Sequence, residues 1–195
     1  MFLRRFLNRL LRLRVPVSYK RSLRQELTDR GLQYYIAARY ATAAGFIPVA
    51  GSLFHHAIEM FLKGYLSETL AETELLKLSH SLKRAWQLFK NAVRDPSLNQ
   101  LDSTISKLHK FENIRYPDMQ HGMLAVIEFG KPSTGQLIGT GGERQYKISV
   151  DELDNLVQLI FTLTKLNPEA FMGPYKNKQD ARDFLLRENN HPIWK

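Results

Sequence analysis

Segments with apolar residues at helical spacing dominate this sequence and constrain its fold more than any other feature. In these segments apolar residues recur every three or four positions, and turns containing Gly or Pro separate one segment from the next. We predict helices at about 23–44, 50–70, 81–93, 98–111 and 150–166, with a further helix at 179–188. The segment 150–166 is the most apolar and is expected to lie at the centre. Since 195 residues suit one domain, the pattern predicts a mainly α-helical single domain.

The sequence changes character between residues 123 and 148. The run 123–129 is rich in β-forming residues, and Gly-rich segments separate it from 136–138 and 144–148. We predict two or three short strands here, forming a small β-hairpin inserted at about 123–148. The Gly-rich segment 139–142 lies between strands and precedes no helix, so we interpret it as a hairpin turn and not as a phosphate-binding loop.

Charge and cysteine content narrow the class of protein. Lys and Arg total 28 against 19 Asp and Glu, which gives a net charge of +9. Such an excess favours polyanionic partners, either nucleic acid or an anionic membrane surface. The absence of cysteine excludes disulfides, thiolate metal sites and cysteine nucleophiles, and it is compatible with the cytoplasm. No apolar run reaches the roughly 20 residues of a transmembrane helix.

The first 14 residues form a basic amphipathic pattern. Phe and Leu side chains fall on one side of a predicted helix and Arg side chains on the other. Such a helix can lie on an anionic membrane surface or on another protein, and it can equally cap the domain's own core. The first alternative would make the protein peripheral to the membrane. We therefore divide the chain into this helix with its linker at 1–21, a helical bundle at 22–170 and a polar C-terminal extension at 171–195.

Common catalytic signatures are missing from the sequence. It contains no GxxxxGK[ST] phosphate loop, no GxGxxG fingerprint, no HExxH and no GxSxG. His55 and His56 are adjacent and point about 100° apart on a helix, so they cannot chelate one ion together. We interpret them as surface or core histidines, and we predict no metal site and no cofactor.

The loop that runs from Arg115 to His121 is the best candidate for chemistry. Pro117 favours a turn, which brings an arginine and a histidine to the two ends of a short loop. Arg can hold a phosphate through two hydrogen bonds, and His can move a proton near neutral pH. Together they suit RNA cleavage without a metal, in which the 2′-hydroxyl attacks the adjacent phosphate. Alternatively, Arg115 pairs with Asp118 to rigidify the loop, and His121 has no role.

Three short elements of the sequence, at 53–66, 80–82 and 115–118, carry a resemblance to a known family. The segment 53–66, with Ala57-Ile58-Glu59 followed by Lys63, is similar to the second helix of HEPN domains. The segment 80–82, His-Ser-Leu, is similar to the start of the third helix. The segment 115–118 reads Arg-Tyr-Pro-Asp, an element that precedes the last core helix in many members. The three elements occur in the family's order within about residues 23–166.

The resemblance implies an antiparallel up-and-down bundle of four or five helices, commonly a homodimer. Many HEPN proteins are metal-independent endoribonucleases of toxin–antitoxin or defence systems with an Arg-x(4–6)-His motif, which Arg115 and His121 fit. Members with Arg-Tyr-Pro-Asp are often nucleotide-binding or partner-binding modules. A nucleotidyltransferase is a frequent companion. The predicted ligand-binding residues are Lys63, His80, Arg115, Tyr116 and Asp118.

Two functions follow from these observations. The first is a HEPN-like module that binds RNA or a nucleotide, with endoribonuclease activity as an open question. The alternative is a non-enzymatic protein-interaction module whose N-terminal helix tethers it to a membrane surface.

Overall fold

The computed structural model describes residues 22–111, 123–129 and 144–167. These ranges contain six α-helices, one 3₁₀ helix and two strands. The elements are α1 (Leu23–Ala43), α2 (Ile47–Leu66), α3 (Glu72–Lys77), α4 (Leu82–Val93), a 3₁₀ helix (Pro96–Leu101), α5 (Asp102–Lys110), β1 (Met123–Glu128), β2 (Arg144–Ser149) and α6 (Val150–Leu163). The prediction of a mainly helical protein is confirmed, whereas the predicted elements at 1–14, 136–138 and 179–188 and the extension at 171–195 lie outside the described residues. Among the helices described, none is both long and apolar enough to cross a membrane.

Helices α1 and α2 follow each other through a tight turn. Ser22 caps α1, because its hydroxyl accepts from the amide of Gln25 while the Gln25 side chain accepts from the amide of Ser22. Gly45 follows α1 with φ of 77°, a conformation that suits glycine. Helix α2 begins at Ile47 with Pro48 in its first turn. The sequence prediction placed this start three residues later, because a proline also marks the end of a preceding helix.

The contacts between α1 and α2 show that the two helices are antiparallel. Gly31 of α1 faces Phe61 of α2 so closely that an added Cβ would lie 2.7 Å from the Phe61 ring. Further along α1, the edge of the Tyr35 ring meets Phe54, with 6.0 Å between centroids. Residue numbers thus rise along α1 as they fall along α2. The absence of a side chain at Gly31 lets the two helices approach closely.

The sequence analysis predicted that the segment 150–166 lies at the centre of the core. In the structure α2 occupies that position. Helix α2 contacts α1, α4, α5, α6 and β1. The edge of the Phe161 ring of α6 packs against Phe61 of α2 at 4.9 Å between centroids. Helix α6 is well formed, since the hydroxyl of Ser149 accepts from the amide of Glu152 at its first turn. It covers one side of α2, whereas α2 has neighbours on several sides.

A buried ionic bridge joins α1 to α6. The side chains of Arg39 and Asp154 are 0% and 2% exposed, and Arg39 Nη1 lies 2.5 Å from Asp154 Oδ2. The hydroxyl of Tyr35 donates to the same carboxylate. Burial, reinforced by the Asp154 charge, raises the pKa of Tyr35 well above its ordinary value, so the hydroxyl keeps its proton. Arg39 occupies an inward position of α1 and is fully buried, whereas Tyr40 and Ala43 are exposed.

The strands β1 and β2 pair in parallel, with Ile127 opposite Ile148. A β-hairpin is antiparallel, so the predicted hairpin at 123–148 is wrong. Ile127 and Ile148 are both buried, and β2 continues directly into α6. Parallel strands need a connection of about a dozen residues or more, and the segment 129–143 meets that need. Its glycines are typical of a turn but do not determine the direction in which the chain returns.

Replacing Trp86 should test the packing of α4. The side chain is 3% exposed, its ring stacks on Phe89, and its indole N–H donates to Asp102 at 2.6 Å. We expect Trp86→Ala to lower the free energy of unfolding by about 3–5 kcal/mol, measured by denaturant titration. Arg84→Ala, at an exposed position of the same helix, should change it by no more than about 0.5 kcal/mol. A loss below about 1 kcal/mol for Trp86→Ala would contradict the packing.

Substitutions at the two ends of the bridge between α1 and α6 should have strongly coupled effects on the free energy of unfolding. Asp154→Asn removes the carboxylate that pairs with the buried Arg39 charge, so we expect a loss of about 3–5 kcal/mol in the free energy of unfolding. Adding Arg39→Met to Asp154→Asn removes that charge and should restore part of the loss. If the double variant is less stable than Asp154→Asn alone, the bridge does not account for the cost.

Candidate functional site

The structure describes two of the residues that the sequence analysis selected for function. Arg115, Tyr116 and Asp118, together with the predicted catalytic residue His121, lie outside the described residues. Lys63 and His80 are described, and they lie in one cluster. They are 17 positions apart in the sequence, and the fold brings both against the same glutamate.

Glu59 is the centre of this cluster. It lies on α2, and its side chain is 1% exposed. Lys63 lies one helical turn further on, and its Nζ is 2.5 Å from Glu59 Oε1, an ion pair at the (i, i+4) spacing. The same Nζ donates to the backbone carbonyl of Ser79 at 2.6 Å. Lys63 therefore links the turn before α4 to the middle of α2.

Two histidines face the other oxygen of Glu59. His80 Nδ1 lies 3.3 Å from Glu59 Oε2, and His56 Nδ1 lies 3.6 Å from the same atom. The two imidazole rings meet edge to face at 5.8 Å between centroids. The side chain of His80 is 58% exposed, so the cluster reaches from a buried carboxylate to solvent. We call His56, Glu59, Lys63 and His80 the Glu59 cluster.

The sequence analysis did not select His56 and Glu59 as site residues. It compared His56 only with its neighbour His55, which is fully buried and lies outside the cluster. His56 and Glu59 are three positions apart, a spacing that places two side chains on one face of a helix. That spacing is the signal that could have identified them. His80 is 21 positions from Glu59, and no local pattern predicts their contact.

The contacts within the cluster keep Glu59 ionised. Burial by itself would raise the pKa of this carboxyl. Hydrogen bonds with His56 and Lys63, the Lys63 charge and the hydrogen bond with His80 outweigh burial and lower the pKa to about 2. A buried carboxylate therefore faces the solvent-exposed imidazole of His80 at neutral pH.

A basic helix start lies beside the cluster. Helix α4 begins two residues after His80, and the side chain of its N-cap residue Ser81 makes no capping hydrogen bond. The first turn of α4 contains no acidic residue and instead contains Lys83 and Arg84, both exposed. The amide groups at a helix start favour negative charge, so two cations there are unfavourable unless an anion joins them. This surface can therefore receive an anion.

Comparisons of the chain with protein-family models, with curated proteins and with solved structures gave no match. The three elements at 53–66, 80–82 and 115–118 therefore remain the basis of the HEPN resemblance. Of these, the first two meet in the Glu59 cluster.

Stability at low pH should test the electrostatics of the cluster. The folded-state pKa of Glu59 is lower than its ordinary value of 4.5, so its stabilisation is complete above pH 4.5 and is lost as pH falls towards 2. A shift from 4.5 to about 2 corresponds to roughly 3 kcal/mol. We expect Glu59→Gln to lose this part of the pH dependence, measured by denaturant unfolding between pH 5 and pH 2. Glu72→Gln, which removes an exposed carboxylate from α3, should retain the wild-type slope.

Proposed function

We propose that this chain is a HEPN-like module that binds RNA or a nucleotide through phosphate groups. The observation that supports it most is the position of His80. This residue belongs to an element of the HEPN resemblance, and it is the exposed member of the Glu59 cluster, two residues before the basic start of α4. The overall charge of +9 favours the same class of ligand.

The residues divide into those that contact phosphate and those that hold them in place. His80, Lys83 and Arg84 are exposed, so their side chains are free to contact a ligand. The amide groups in the first turn of α4 add hydrogen-bond donors. Lys63 is 14% exposed and already contacts Glu59 and Ser79, so we assign it a positioning role. Its predicted contribution to binding is thus to hold the turn that carries His80.

The helix before the Arg115 loop, α5, packs against α2, the helix that carries the Glu59 cluster. The His109 ring, in the last turn of α5, lies 5.9 Å from the ring of His55, the neighbour of cluster residue His56. Phe111 is the first residue after α5. Its ring packs so closely on Gly51 of α2 that a Cβ added to Gly51 would overlap it. Arg115 is four positions after Phe111 in the sequence, and four residues can span up to about 14 Å. We propose that Arg115, with Tyr116 and Asp118, contributes to the same binding surface.

Binding is the main proposal. Cleavage by Arg115 and His121 is a further step, and assays of variants at these two residues test it. In that step Arg115 would stabilise the charge on the phosphorane, and His121 would transfer the proton. The homodimer and the nucleotidyltransferase-type partner that the resemblance implies stay predictions. The alternative of a non-enzymatic interaction module predicts that neither RNA nor nucleotide binds.

Binding assays with two matched arginine variants should test the proposal. We expect Arg84→Asn to weaken binding of a fluorescent single-stranded RNA or of a fluorescent nucleotide by about tenfold, because each lost contact contributes roughly 1–3 kcal/mol. Arg94→Asn removes the same charge at the other end of α4 and should leave binding nearly unchanged. Asn suits that control, because Arg94 has φ of 58°, which Asn tolerates. Equal effects of the two variants, or no binding by the wild type, would show that the proposal is wrong.

Variants in the predicted loop should separate binding from cleavage. Arg115→Ala should weaken binding, and Arg115→Lys should restore it only in part, because lysine lacks the planar donor fork. If the protein cleaves RNA, His121→Ala should reduce the rate by about 10²–10⁴-fold while binding persists. Cleavage that survives both substitutions would place the catalytic residues elsewhere.

A further inference from the structure

We propose that His56, Glu59 and His80 form a binding site for Zn²⁺ or a similar divalent transition-metal ion. Their ligand atoms all lie within 4.8 Å of one another. Two imidazoles and one carboxylate are a donor set that binds Zn²⁺ in proteins, with a fourth position open to solvent or substrate. The sequence analysis predicted no metal site, and this inference replaces that prediction.

The distances suit one ion shared by the three side chains. His80 Nδ1 and His56 Nδ1 lie 3.3 Å and 3.6 Å from Glu59 Oε2. Bonds of about 2.0–2.1 Å in tetrahedral geometry place neighbouring ligand atoms roughly 3.3–3.4 Å apart. The two distances to Glu59 Oε2 are therefore close to those of ligand atoms that share one cation.

The fold holds the ligands in place before a cation arrives. His56 and Glu59 lie on one face of α2, in the centre of the core. His80 lies in the turn before α4, and the bond from Lys63 to the Ser79 carbonyl holds that turn against α2. Folding of the chain therefore already orders most of the ligands, so cation binding loses little further conformational entropy.

Lys63 modifies the site without occupying it. Its Nζ binds Glu59 Oε1, whereas the histidines face Oε2. Carboxylates that bind metals commonly accept a hydrogen bond at their other oxygen, which orients them. The Lys63 charge also repels a cation, so this site should be weaker than the same three ligands without a lysine. The proposal is independent of the proposed function, because cation binding requires neither RNA nor a nucleotide.

Zn²⁺ titration of the full chain without a histidine tag should test the site. We expect one Zn²⁺ per chain to bind, measured by competition with a chromogenic chelator after removal of bound metal. His80→Ala should weaken binding at least tenfold, and because His80 is exposed its loss should leave the fold intact. Asn91→Ala, at an exposed position in the last turn of α4, is the control and should have no effect.

Two further measurements distinguish a built site from incidental binding. Co²⁺ in place of Zn²⁺ should give the visible absorption of tetrahedral coordination, and His80→Ala should abolish it. Glu59→Gln should also lose the ion, whereas Glu72→Gln should keep it, with circular dichroism to verify folding. Absence of Zn²⁺ binding, or equal weakening by His80→Ala and Asn91→Ala, would overturn the proposal. If the wild type binds no Zn²⁺, only the cation site is ruled out. Phosphate binding is tested separately by the assay of Arg84→Asn.

Discussion

The buried bridge between Arg39 and Asp154 is the interaction on which the arrangement of the helices depends. It joins α1, the first helix described, to α6, the last, across 115 positions of sequence. A buried charge without a partner is strongly unfavourable, so any packing that separates the two residues carries a large penalty. The bridge therefore selects one position of α1 against α6, and Tyr35 donates to the same carboxylate. Since β2 continues into α6, the position of the strands depends on this bridge as well.

With α1 and α6 in place, α2 is covered on several sides, and this burial shapes the Glu59 cluster. A carboxylate at a central position of the core has to be paired, and Lys63 and the two histidines provide the partners. The Lys63 bond to Ser79 then fixes the turn before α4, which brings His80 to the surface. Burial of Glu59 and exposure of His80 are thus two consequences of one set of contacts.

The two proposals assign different neighbours of His80 to different ligands. A cation would bind on the side of Glu59 and His56, whereas a phosphate would bind on the side of Lys83, Arg84 and the α4 amides. The two ligands have opposite charge and would lie close together. A bound cation would therefore strengthen phosphate binding, and a bound phosphate would offset the repulsion between the cation and Lys63.

Much of the helical structure could be predicted from the sequence, because the forces involved act between near neighbours. The spacing of apolar residues identified α1, α4 and α6. The separation of four positions by itself favours the pair of Glu59 and Lys63. The Arg-Tyr-Pro-Asp element at 115–118 also came from the sequence alone, and its role stays a prediction.

Tertiary structure alone decided the contacts between distant parts of the chain. The parallel direction of β1 and β2 depends on where the chain returns, whereas the Gly-rich composition of their connection indicates only a turn. The contact of His80 with Glu59 and the bridge of Arg39 with Asp154 join residues 21 and 115 positions apart. Periodicity determines which face of each helix is apolar, but the shared burial of several helices determines which polar side chains meet within the core.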